Sequence, residues 1–135
     1  MNSKMYQMDY ASTIDEAIEL REAGNTAKSL RILSKIVDEI PHQDVKALVV
    51  AGALLREGRK FEAALSCLNK AIESDPSSPG ASLGLFHTLW NMGRYDDGFA
   101  ELHRFLSISQ SDEHFRLIEE MRDSLLDDDK ADGER

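Results

Sequence analysis

The chain has 135 residues, 41% of them hydrophobic, and a formal net charge of −9; this length fits one domain with enough apolar side chains for a core. No run of about 18 apolar residues occurs, so no membrane span is expected, and the start, MNSKMYQMDYAST, lacks the apolar stretch of a secretory signal. Cys67 is the single cysteine, so no internal disulfide can form and a reducing, cytoplasmic compartment is the expectation.

The charge is uneven. Residues 1–111 carry 15 acidic and 12 basic side chains, while residues 112–126 and 127–135 each carry 5 and 2. The body is therefore nearly balanced, and DDDKADGER at the end reads as an acidic, disordered, solvated tail. Arg56, Arg59 and Lys60 cluster at one turn, but nucleic acid asks for a basic stripe and is not an expected partner.

In chain order, residues 1–9 are read as an N-terminal tail and a first helical stretch covers 10–23. The phrase GNTAKSLRILSKIVDEIP follows at 24–41, with Ser29, Leu30, Leu33, Ile36 and Val37 at helical spacing. A second helical stretch over 44–57, with Asp44 as its N-cap, leads into GRKFEAALSCLNKAIESDP at 58–76. The third stretch, 79–92, opens with Ser78-Pro79, a capping serine and a proline at the first helical position, and leads into GRYDDGFAELHRFLSISQ at 93–110.

The three phrases are copies. Phe61 and Tyr95, Ala64 and Gly98, Leu65 and Phe99, Leu68 and Leu102, Ala71 and Phe105, and Ile72 and Leu106 all lie 34 residues apart. Gly24, Gly58 and Gly93 punctuate each pair of helices, and Pro41 and Pro76 close the first two copies. The unit is helix, turn, helix, over 10–43, 44–77 and 78–111. One such hairpin cannot bury its apolar face alone, so stacked copies must share a core and the ends need covering. Residues 112–126, DEHFRLIEEMRDSLL, suit that task, with Phe115, Ile118, Met121 and Leu125 on one helical face and a helix start at Ser111.

A two-helix unit of this period resembles the tetratricopeptide repeat (TPR) family. The middle copy carries most of the resemblance, in Leu48, Ala51, Gly52, Leu55, Phe61, Ala64, Leu68, Ala71 and Pro76. The third keeps Leu85, Leu89, Gly93, Tyr95 and Leu102 but departs at Phe86, at Gly98 and at Gln110, where proline is expected. In the first, Ala17, Leu20, Gly24, Ser29 and Ile36 fit, while Thr13 and Glu16 stand where apolar residues belong. The resemblance implies an all-α fold, a right-handed superhelix of three TPR-like helix-turn-helix repeats plus a C-terminal capping helix.

It also implies a concave groove, lined by the first helix of each pair, that binds a peptide or helix of another protein. Groove positions carried over from the family fall on Ile14, Asp15, Ile18, Arg21 and Glu22 in the first repeat. In the second they fall on Lys46, Val49, Val50, Ala53, Arg56 and Glu57, and in the third on Gly80, Leu83, Gly84, His87, Trp90 and Asn91. Ile14, Ile18, Val49, Val50, Ala53, Leu83 and Trp90 would make an apolar floor of a kind seldom left uncovered, and Gly80 and Gly84 would let a ligand backbone approach. The alternative is a groove filled internally, by MNSKMYQM or the last helix, or by a second copy in a homodimer. The positions with which TPR domains clamp a chaperone's terminal carboxylate fall on Ile14, Ile18, Val50, Gly80 and Gly84, none of which can donate a side-chain hydrogen bond.

Catalytic chemistry finds little support. No two of His42, His87, His103 and His114 are three or four residues apart, Cys67 has no cysteine partner, and glycines occur as turn punctuation rather than as a phosphate loop. No catalytic residue, metal or cofactor is therefore expected, and an enzyme is the least favoured class. The reading is a non-catalytic protein-interaction module, a small chaperone or adaptor. In size, charge and repeat number it is similar to the small TPR chaperones of bacterial type III secretion. An immunity protein that neutralises a toxin, or a scaffold subunit, are the alternatives.

Overall fold

Capping residues set where the helices begin. The Asp44 carboxylate accepts from the Ala47 amide at 3.1 Å and the Ser78 hydroxyl from the Ala81 amide at 3.2 Å, and Ser111 does the same for His114 at 3.3 Å, satisfying amides that a helix start leaves without partners. The computed structural model describes residues 3–133, with side chains described from Tyr10 to Ser124. Its helices are α1 (Ser3–Glu22), α2 (Thr26–Ile36), α3 (Val45–Glu57), α4 (Phe61–Ser74), α5 (Pro79–Asn91), α6 (Tyr95–Leu106) and α7 (Asp112–Gly133), with a 3-10 turn at Val37–Glu39 after α2.

Two boundaries differ from the sequence reading. Residues 3–9 are the first two turns of α1 rather than a tail, because SKMYQMD holds no glycine or proline to stop a helix from extending backwards. Residues 127–133, read as a disordered tail, continue α7. Once a helix is nucleated each added residue gains a hydrogen bond, and no breaker stands before Gly133. The remaining residues of the two expected tails, 1–2 and 134–135, lie outside the described residues.

The helices pair as α1/α2, α3/α4 and α5/α6, and the pairs stack through α1 on α3, α3 on α5 and α4 on α5. The result is an all-α, right-handed superhelix of three TPR-like hairpins, with α7 laid over its end. Each hairpin turn needs one left-handed residue. Gly24 (φ +84°) and Gly93 (φ +76°) supply it in the first and third repeats, but in the second it is Arg59 (φ +64°). Gly58 is wanted for a different reason: a β-carbon there would lie 2.5 Å from the Leu30 side chain.

Close packing explains the other small residues. A β-carbon on Gly52 or on Gly84 would come within 2.8 Å of Leu68, so one leucine of α4 is wedged against the backbones of α3 and α5 and joins the second repeat to the third. The departures at Phe86 and Gly98 prove to be one compensated exchange: a β-carbon on Gly98 would meet the Phe86 ring at 3.3 Å. The large side chain on α5 fits because α6 gives up its own.

At the end of the stack α7 is held by a buried histidine. His114 is 0% exposed and its ring stacks on Phe105 of α6, with centroids 4.0 Å apart and planes 11° from parallel. One ring nitrogen lies 2.9 Å from the Ser82 hydroxyl of α5 and the other 2.8 Å from Ser111. Beside it the buried Glu101 carboxylate accepts twice from Arg104, both at 2.7 Å, and Arg104 also donates to the Pro76 carbonyl at 3.1 Å. Ile118 joins Phe86 and Leu102 in the apolar cluster beneath.

Candidate functional site

Helices α1, α3 and α5 line one side of the stack, and the groove residues named from sequence sort into three groups there. The first is core. Ile14 is 6% exposed and packs with Ala17, Leu48 and Ala51. The 34-residue period explains this, since Ile14 stands one period before Leu48; the first helix is rotated relative to the sequence reading, and Ile14 belongs to the core with only an edge on the groove. Trp90 turns toward α6 instead of the floor. Its ring lies 4.4 Å from Tyr95, and 5.6 Å from Phe86 and from Phe99, an aromatic box that gains more contact there than in a groove. Gly84 backs onto Leu68, with its β-carbon position 2.8 Å away, and so serves helix packing, while Gly80 is exposed and its β-carbon position lies at an ordinary 3.5 Å from Val49.

The second group lines a cleft between α1 and α3, of about 390 Å³. Its apolar lining is Ala11, Ile18, Ala47 and Val50, with an edge of Ile14, and its polar rim is Asp15, Asp44 and Lys46. Val49, Ala53 and Leu83 continue the half-buried apolar surface toward α5. One end of the cleft is fixed by Tyr10, whose hydroxyl donates to Asp44 at 2.7 Å. Sequence reasoning missed Ala11, Ala47 and Asp44 as lining. Their only signal was position, since Asp44 was already assigned as a cap and alanine carries no chemistry.

The third group is polar and lies at the C-terminal ends of the three helices. Arg21 donates to both carboxylate oxygens of Glu57, at 2.9 and 3.1 Å, and so ties α1 to α3. Arg56 reaches across to the Asn91 side-chain oxygen at 3.4 Å and ties α3 to α5. His87 is half-buried on the same side; burial pushes its pKa down, Arg56 adds to this, and Glu113 opposes it. Glu22 is exposed.

A further cleft of about 470 Å³ opens between α6 and α7, lined by Leu106, Ile118 and Phe115, which is 49% exposed. No group of three or more potential metal ligands occurs among the described residues, and none of the described helices is long and apolar enough to cross a membrane. Cys67 is buried in the core, and burial pushes its thiol up to about 11.

Stacked hairpins sharing a core and lining a groove with their first helices define a TPR-like helical-repeat fold. No protein-family model and no curated protein sequence matches the chain. Among solved structures, a mutant of the Thermobaculum terrenum O-GlcNAc transferase superposes with a TM-score of 0.57 at 21% identity, over 79% of this chain. The chain spans about a fifth of that protein's length, matching 20% of it, and the likeness is one of fold.

Proposed function

We propose that the protein is a non-catalytic interaction module that holds a peptide or helix of another protein in the groove lined by α1, α3 and α5. The observation that carries this reading is the cleft between α1 and α3. It combines an apolar lining of Ile18, Ala47 and Val50 with a rim bearing both signs of charge, Lys46 against Asp15 and Asp44. Covering apolar surface is worth about 25 cal/mol per Å², a gain set against the cost of ordering the bound segment. Within this class the role is that of a small chaperone or adaptor that shields an apolar segment of its client.

The test is capture from a lysate of the native host, wild type beside Val50→Glu, with both proteins shown to share the same helicity and unfolding temperature. A partner retained by the wild type and lost by Val50→Glu supports the groove. The same proteins recovered with both refute it. Capture by the wild type that fades steeply with salt would instead favour a charge-driven immunity protein.

A further inference from the structure

Among the described arginines Arg21, Arg94, Arg104 and Arg116 meet acids, while Arg31, Arg59 and Arg122 are exposed and meet none. Arg21 pairs with Glu57, Arg94 with Asp97 and Arg104 with Glu101, all at 2.7–2.9 Å. Arg56 has no carboxylate within ion-pair distance among the described residues, although acids outnumber bases 25 to 16 in the sequence. Its side chain is half-buried, and its Nε is the single buried side-chain nitrogen or oxygen without a hydrogen-bond partner among those residues. Its Nη1 contact with Asn91 is long, at 3.4 Å. Leaving a half-buried guanidinium so poorly satisfied costs free energy; Nε is enclosed, so an acid brought by a ligand would recover part of that cost at the Nη groups.

The surroundings fit that visitor. Asn91 presents its oxygen to Arg56, which leaves its amide N–H groups free to donate. His87 is half-buried one helical turn before Asn91 on α5; burial and Arg56 lower its pKa while Glu113 opposes this, and in its neutral form it adds a donor without a second full charge. One cation with two neutral donors suits a monoanionic carboxylate, which the Nη groups of a guanidinium accept end-on, better than a phosphate dianion. One helical turn earlier on α3 and α5 stand Ala53 and Leu83, half-buried and apolar.

We propose that Arg56, His87 and Asn91 form a carboxylate anchor in the groove, so that the partner segment is an apolar stretch carrying one Asp or Glu side chain that docks there. This rests on the groove reading above and adds the chemistry of the partner.

The experiment is a random-peptide display selection against the full chain, followed by titration of the enriched peptides and of their acid-to-amide analogues (Glu→Gln or Asp→Asn). The expected result is a single acid among apolar residues, with the amide analogue bound about ten- to a hundredfold more weakly. On Arg56→Met the acid and amide peptides should bind alike. Asn91→Asp, which sets a carboxylate beside Arg56 from within, should abolish the preference too, and serves if Arg56→Met does not fold. In the wild type the acidic peptide should raise the His87 pKa, read by NMR, and the amide analogue should not. Peptides that Val50→Glu excludes but that ignore the acid-to-amide change overturn the anchor and leave the groove standing. A selection yielding no peptide that Val50→Glu excludes overturns both.

Discussion

His114→Ala tests whether α7 is held to the stack by a polar latch or by its apolar face alone. The substitution removes a ring with 0% exposure, stacked on Phe105, and leaves the Ser82 hydroxyl, also 0% exposed, without its partner. A cavity of imidazole size and one orphaned buried hydroxyl together cost about 3 kcal/mol. Because the end of a stacked array opens by itself, the loss should appear first as undocking of α7, with the α1–α6 hairpins intact. Hydrogen exchange over residues 112–124 is the assay, with urea unfolding followed by Trp90 emission as the global check. A loss below about 1 kcal/mol, or exchange rates rising equally in all helices, would refute the latch.

The same residue predicts a pH dependence. Burial pushes the His114 pKa below its usual 6.5, with Arg104 adding to this while Glu101 and Glu113 oppose it. The unfolded chain therefore binds the proton more readily. The latch contributes fully above pH 6.5 and is lost as pH falls through the folded value, with a slope of at most about 1.4 kcal/mol per pH unit. His87 is shifted the same way, so the difference between wild type and His114→Gln isolates the latch; a constant difference across this range would contradict it.

Two further outcomes follow from packing. Gly24→Ala and Gly93→Ala should each cost about 1–2 kcal/mol, since both sites have positive φ and nothing within 4 Å of an added β-carbon; thermal melts that do not move would show that the turns relax. Cys67 should resist thiol reagents in the folded protein and react at once in denaturant, because burial raises its pKa to about 11; rapid labelling of native protein would mean that the second repeat opens readily.

The repeat was legible in the sequence because it is written in local chemistry. Apolar spacing along 61–72 and 95–106, the caps at Asp44 and Ser78, and the punctuation at Gly24 and Gly93 act within a few residues of themselves. Each gives the same answer before any helix meets another. The groove was only half legible. Lys46 and Val50 line the cleft between α1 and α3 as the register implied, but Ile14 went to the core, Trp90 turned to Tyr95, and Gly84 closed on Leu68. Those choices depend on how far each helix rotates against its neighbours, and a shift of one residue turns a helix by about 100°. The helices at both ends outran their signals because nothing local stopped them. The histidine latch and the unpaired guanidinium of Arg56 join residues 32 and 35 apart in sequence. Periodicity states that such positions recur; only stacking the helices decides which polar group meets which, and which is left without a partner.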